Sequence, residues 1–181
     1  GKWTAVPGGV QLISGRTFVP VRFAAETMGA RVGWNQEYYR VEITKSGHQV
    51  PAECVAYKEY TDDQMDWLAR IVSAESKGEP MNGKVGVGNV ILNRVESDLF
   101  PDTIYGVIFD KKYGVQFQPI TNGTIYHTPT AESRIAAKKA LEGENTVGNS
   151  LYFLNPRTST NFWIMNNRTY HSTIANHRFY L

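Results

Sequence analysis

The chain has 181 residues, enough for one domain of ordinary size with a small appendage. A composition 41% hydrophobic and 20% charged is that of a globular protein, and a net charge of +2 with scattered basic residues leaves no electrostatic footprint for nucleic acid. The single cysteine, Cys54, excludes an internal disulfide and a cysteine-based metal site, and no apolar run is long enough to span a membrane.

The first residues, GKWTAVPGG, lack the charged-then-apolar order of a signal peptide. Residues 1–47 read as a small α+β unit. Val10 to Ile13 predict a strand, and Pro20 and Gly29 bracket a short helix with Val21, Ala24, Ala25 and Met28 as its apolar stripe. Arg31 to Trp34 and Tyr38 to Thr44 predict two further strands, with Trp34-Asn35-Gln36 supplying the turn. Residues 48–60 contain Pro51 and show no periodicity, so the linker is expected there, with Cys54 an incidental residue within it.

The second unit, residues 61–181, opens with TDDQMDWLARIVSAESKGEP. Thr61 and Gln64 form a capping-box pair, Asp62 and Asp63 load the first turn with favourable negative charge, and Gly78 with Pro80 marks the end. A helix is expected from about Asp62 to about Lys77. At 100° per residue Met65, Leu68, Ile71 and Val72 share one arc, and Glu75 falls in the middle of it. Burial there raises a carboxyl pKa and keeps it protonated near neutrality, as a general acid requires. Periodicity alone favours a structural role, that of a last-turn glutamate or the partner of a buried arginine.

Asn82 is expected to cap a second helix carrying Val87, Val90, Ile91 and Val95, in which Gly86 and Gly88 imply close approach by the backbone of the first. Pro101 and Asp102 start a short helix, Asn122-Gly123 signals a hairpin turn, and Thr128-Pro129 opens a helix ended by Gly143. That last helix has a modest apolar face of Ile135, Ala136 and Leu141, interrupted by Lys139, and is expected on the outside. The segments LYFLNP, NFWIMNNRTYHS and ANHRFYL have strand character, with Asn166-Asn167 as a turn. Helices early and strands late favour an α+β fold.

Two resemblances bear on function. The segment TFVPVRFAAETMGARVGW resembles the stalk-type repeat at the N-terminus of some copper amine oxidases and of bacterial surface proteins. It implies an attachment or spacing module, without oxidase chemistry, since only His48 stands near it. The second unit, through LARIVSAESKGEP, GKVGVGNVILNRV, FPDTIYGVIF, YGVQFQP, AAKKALEG, LYFLNP and IANHRFYL, resembles the SleB/CwlJ-type cell wall hydrolases of endospore-forming bacteria. That resemblance implies a lysozyme-like, lytic-transglycosylase-like α+β domain acting on peptidoglycan outside the cytoplasm, with Glu75 as catalytic acid. The chain departs from the family pattern at Gly86 and Gly88, where alanines are usual, and at Ala175, in a motif where a glycine usually precedes the histidine.

Glycoside hydrolysis ordinarily needs a second carboxylate. Glu79, Glu96, Asp98, Asp102 and Asp110 are the nearest, and none recurs in a pattern that places it opposite Glu75; Glu79 reads as a surface or loop-fixing residue. One acid without an obvious partner favours a lytic transglycosylase over a hydrolytic muramidase. Candidate substrate-binding residues are Gln116, Phe117 and Gln118 with Tyr113, then Tyr152 and Asn155, Trp163, His177 and Arg94. Phe117 and Trp163 also fit a core role, Asn155 a strand-end turn, and Asn93-Arg94 either a helix end or an orienting pair for Glu75. His127, His171 and His177 lack metal-ligand spacing, so no metal or cofactor is expected, although a metal-dependent amidase is a rival class. A noncatalytic wall-binding protein is the other rival. The expected partner is peptidoglycan, with no nucleic acid and no membrane span; a regulatory protein partner is left open, and a monomer is expected.

Overall fold

The computed structural model describes residues 4–51, 60–112, 114–159 and 162–181. Cys54, Tyr113 and most of the expected linker lie outside the described residues. The chain divides into two compact units, Gly1–Tyr57 and Lys58–Leu181.

Unit 1 contains β1 (Gln11–Ile13), β2 (Arg16–Phe18), α1 (Val21–Thr27), β3 (Arg31–Asn35) and β4 (Arg40–Thr44). The strands form two separate antiparallel hairpins, β1-β2 and β3-β4. The Asn35 side chain makes the second turn by accepting the N–H groups of Glu37 and Tyr38 at 3.0 Å, which is how Asn initiates a turn without a glycine. Gly29, at φ +79°, follows the end of α1, where a left-handed residue is needed. The strand β2 was not anticipated, because three residues of Arg, Thr and Phe are too short to show alternation. Ala25 is the one buried hydrophobic residue described in this unit, while Val21 and Met28 of the expected stripe stay exposed. An apolar groove of about 360 Å³ is lined by Val21, Ala25, Met28, Ile43 and Val50, and none of the candidate site residues lies in it.

Unit 2 holds α2 (Asp62–Ser76), α3 (Met81–Val95), α4 (Ile104–Phe109), α5 (Gln118–Asn122), a 3-10 turn at Thr124–Tyr126, α6 (Ala131–Leu141), β5 (Tyr152–Leu154), α7 (Trp163–Asn167), β6 (Tyr170–Ile174) and β7 (His177–Tyr180). The sheet is antiparallel in the order β5-β7-β6. The capping box at the start of α2 is present: Thr61 Oγ1 accepts from Gln64 N at 3.1 Å and Gln64 Oε1 from Thr61 N at 2.7 Å. Met65, Leu68, Ile71 and Val72 are all buried as their arc requires. No described helix is long and apolar enough to cross a membrane.

Several expectations are corrected. Helix α6 is central, packed on both α2 and α3, and it buries Ser133, Ala136, Ala137 and Ala140 rather than a large apolar face. Small side chains permit close helix approach but barely register as a hydrophobic stripe. Gly86 and Gly88 face close-packed side chains, not the backbone of α2. A Cβ at Gly86 would stand 2.8 Å from Val147 Cγ1 and 3.1 Å from Phe179 Cζ, and one at Gly88 would stand 3.1 Å from Ala140 Cβ. Helix α3 is capped from Pro80, with Asn82 already inside it. Lys77, in a right-handed conformation, caps α2 in place of a left-handed Gly78. Gly123, at φ +78°, is the left-handed C-cap of α5 rather than a hairpin residue, and Asn166 and Asn167 lie within helix α7.

Candidate active site

Glu75 sits in the last turn of α2, a helix packed against α3, α4, α5 and α6. The turn is closed by Ser76, fully buried, whose hydroxyl donates back to Val72 O and so satisfies itself without an outside partner. Desolvation by burial pushes the Glu75 carboxyl up from 4.5 to about 7. Among the described residues no cation or hydrogen-bond donor meets that carboxyl, so the arginine-paired structural alternative has no counterpart in the described residues. A carboxyl raised to about 7 exists in both protonated and ionised forms near neutral pH, which suits a group that must give a proton and then take one.

One turn on, Glu79 points in a different chemical direction. It is buried, at 7% exposure, so it is not a surface residue. Its Oε2 accepts the backbone N–H of Asn176 at 3.2 Å and its Oε1 accepts the Asn176 side-chain amide at 3.0 Å. Asn176 and Ala175 form the two-residue loop between β6 and β7, and Ala175 has φ +47°, a left-handed value that glycine adopts without strain. Glu79 therefore fixes a loop, holding from beneath the hairpin that delivers His177. The buried Lys84 ammonium anchors the same corner, donating to Glu79 O and, at 2.9 Å, to Glu132 Oε2 of α6. His177 is 5% exposed, and burial lowers its pKa while the nearby Glu79 charge raises it, so the ring is neutral at pH 7. Its Nδ1 is buried with no partner among the described residues.

A cluster of alternating cations and rings adjoins this corner. His177 lies 5.2 Å from the Phe153 ring, and Phe153 stacks on Phe117 at 6.4 Å. The Arg94 guanidinium stands over Phe100, Phe117 and Tyr152 at 4.7, 5.3 and 5.5 Å. Desolvation lowers its pKa to about 10, opposed by Tyr152 and Asp110, so it remains charged at neutrality. On Tyr152 the series continues: Arg168 lies 4.6 Å from that ring and 4.7 Å from Trp163.

The structure thus brings Phe117, Tyr152, Trp163, His177 and Arg94 into one contiguous assembly, although they are scattered over more than eighty residues of sequence. Their positions differ in kind. Phe117 is buried, whereas Trp163 is 49% exposed and is not core. Arg94 is 5% exposed and its Nε donates to Leu151 O at 2.7 Å, so it braces the approach to β5 rather than reaching solvent. Asn93 does the same with Gly148 O and Ser150 O, and neither residue bonds Glu75. Asn155 spends its Oδ1 on the N–H of Arg157 in the turn after β5. Gln116 donates to Gly114 O nearby, and Gln118 is an exposed residue in the first turn of α5. Sequence reasoning missed Arg168, Lys84 and Asn176. Arg168 carried no signal because its segment read as strand and turn, and Lys84 none because a lysine in a helix is presumed solvated.

The chain is similar to known proteins in both sequence and structure. The profile described as Cell Wall Hydrolase covers residues 78–180, beginning just after Glu75 and extending over more than half of the chain. The chain belongs to the cell wall hydrolase family. A second profile, the copper amine oxidase N-terminal domain, matches residues 7–88. Among family relatives, the spore cortex-lytic enzyme of Bacillus cereus is 42% identical over 105 residues, covering 58% of this chain and 39% of that protein. The spore cortex-lytic enzyme of Bacillus subtilis is 37% identical over 105 residues, 58% of this chain and 33% of its own length. The chain therefore spans less than half the length of these relatives. The catalytic domain of the germination-specific lytic transglycosylase SleB from Bacillus anthracis is similar in structure, with TM-score 0.63, 38% identity, and coverage of 70% of this chain and all of that one. The B. cereus SleB catalytic domain gives TM-score 0.61 at 37% identity, covering 76% and 100%. The expected lysozyme-like α+β fold is thus the family's fold.

Proposed function

We propose that unit 2 cleaves the glycan strand of peptidoglycan between N-acetylmuramic acid and N-acetylglucosamine as a lytic transglycosylase, outside the cytoplasm, on spore cortex or a related wall, with Glu75 as its one acid and base. The observation that carries this reading is the contrast between two carboxylates on one turn of chain. Glu75 is desolvated, partnerless among the described residues and poised at about pH 7, while both oxygens of Glu79 are committed to Asn176. The names of the relatives, spore cortex-lytic enzyme and lytic transglycosylase, support the substrate and the reaction. Unit 1 is assigned to attachment, on its match to the copper amine oxidase N-terminal domain.

In the first half of the reaction, protonated Glu75 gives its proton to the glycosidic oxygen as the bond from that oxygen to the muramic C1 breaks. The resulting carboxylate then accepts the proton of the muramic C6 hydroxyl, whose oxygen forms the new bond to C1. The product is a 1,6-anhydro sugar, no water is consumed, and Glu75 ends protonated. A buried carboxyl with a raised pKa serves both halves, as in other glycosidases whose acid later acts as base.

Replacing Glu75 by Gln is expected to lower wall lysis by about 100-fold or more, with pelleting on purified wall retained. Lysis at wild-type rate would contradict the assignment, and chelator-sensitive lysis would point to the metalloamidase class.

A further inference from the structure

We propose that Arg168 is a positioning residue which fixes the Tyr152 hydroxyl as a hydrogen-bond donor toward an uncharged oxygen of the glycan. This rests on the reading of unit 2 as a glycan-cleaving domain with Tyr152 at the substrate. Arg168 Nη2 donates to the Tyr152 hydroxyl oxygen at 3.0 Å. An arginine has five N–H donors and no acceptor, whereas a phenol has one proton to give and lone pairs to receive with. The bond therefore consumes a lone pair of Tyr152 and forbids its proton from pointing back at Arg168. No described group accepts that proton. What remains is a single oriented donor on a half-buried tyrosine.

The surroundings hold that orientation in place. The Tyr152 ring is gripped by Arg94 at 5.5 Å, by the Phe100 edge at 6.1 Å and by Arg168 at 4.6 Å, which leaves the hydroxyl rotor as its main freedom. Arg168 is itself placed by Trp163 at 4.7 Å and by its Nη1 contact to Asn167 O at 3.5 Å. It forms no ion pair with a described carboxylate, and its buried Nε has no partner among the described residues. Two ring faces, one backbone carbonyl and the Tyr152 hydroxyl are what the described residues offer this guanidinium. The phenol is the side chain to which this guanidinium is directed.

The test is a double-mutant cycle on purified glycan strands, with kcat/KM measured for wild type, Arg168→Met, Tyr152→Phe and the double variant. Each single change is expected to lower kcat/KM about tenfold, the loss of one oriented hydrogen bond, and the double variant to be no worse than Tyr152→Phe within about twofold. Arg168→Lys keeps the stem, the charge and an N–H donor. It is expected to stay within about threefold of wild type, and it carries the test if the methionine variant fails to fold. An Arg168→Met loss that multiplies onto Tyr152→Phe, or a lysine variant as damaged as the methionine one, overturns the role of Arg168 and leaves the catalytic reading of Glu75 standing. Wild-type kcat/KM in Tyr152→Phe overturns the inference at its root. Activity retained by Glu75→Gln in the same assay overturns the underlying functional reading instead.

Discussion

Glu79 and Asn176 are joined by two hydrogen bonds, 3.2 Å from the backbone N–H and 3.0 Å from the side-chain amide, so that each carboxylate oxygen has one donor. A carboxylate held this way is neither a nucleophile nor a base waiting for water; it is a clamp on the β6-β7 loop. Glu79→Gln places a second donor against one of the two N–H groups. It is expected to cost about 1.5–3 kcal/mol, the range for hydrogen bonds to a charged group, in urea denaturation. The same change removes the charge that raises the His177 pKa, so His177 is expected to titrate still lower by NMR. Unchanged stability would show that the clamp contributes nothing.

The loop this clamp holds carries its own strain. Ala175 adopts φ +47°, where a Cβ crowds the following carbonyl. Ala175→Gly relieves that crowding at the expense of a more flexible unfolded chain, and the balance is expected to favour glycine by about 0.5–1 kcal/mol. A rise in the thermal midpoint with unaltered activity is the predicted outcome. A fall would mean that the loop is held by contacts the methyl group makes.

The pH dependence of stability follows from Glu75. Its folded pKa of about 7 lies above the ordinary 4.5, so between these values the folded state holds a proton that the unfolded chain has lost. Stability is therefore expected to fall as pH rises from about 4.5 to about 7 and then to level off. Glu75→Gln carries no ionisation cost and should be the more stable protein above pH 7, by on the order of 3 kcal/mol, with no advantage below pH 4.5. Denaturation at pH 5 and pH 8 for both proteins checks this. An equal difference at the two pH values would mean that burial does not raise the Glu75 pKa.

The parts of this fold that could be read from the chain are those written in local chemistry. Thr61 and Gln64 announce the start of α2, the arc from Met65 to Val72 announces its buried face, and Glu75 stands out because it interrupts that arc. Helix α6 could not be read in the same way, since alanines and a serine bury themselves without making a hydrophobic stripe. Helix α7 was misread because Phe162, Trp163 and Ile164 favour strands, and five residues are too few for a helical period to show. The site was legible where one residue sufficed and illegible where it is made by contact. Arg94, Phe117, Tyr152, Trp163 and Arg168 meet through ring faces, and no spacing along a chain encodes a cation standing between two rings. The orientation of Glu79 was equally hidden, because its partner lies ninety-seven residues away.

The central claim is that one carboxyl, Glu75, performs both proton transfers with no second carboxylate activating water. Mass spectrometry of the sugars released from purified peptidoglycan tests it most directly. The expected products carry 1,6-anhydromuramic ends, lighter by two hydrogens and one oxygen than hydrolysis products, and disappear in Glu75→Gln. Reducing muramic ends released by the wild-type protein would contradict it, because they require water, rather than the muramic C6 hydroxyl, to attack C1.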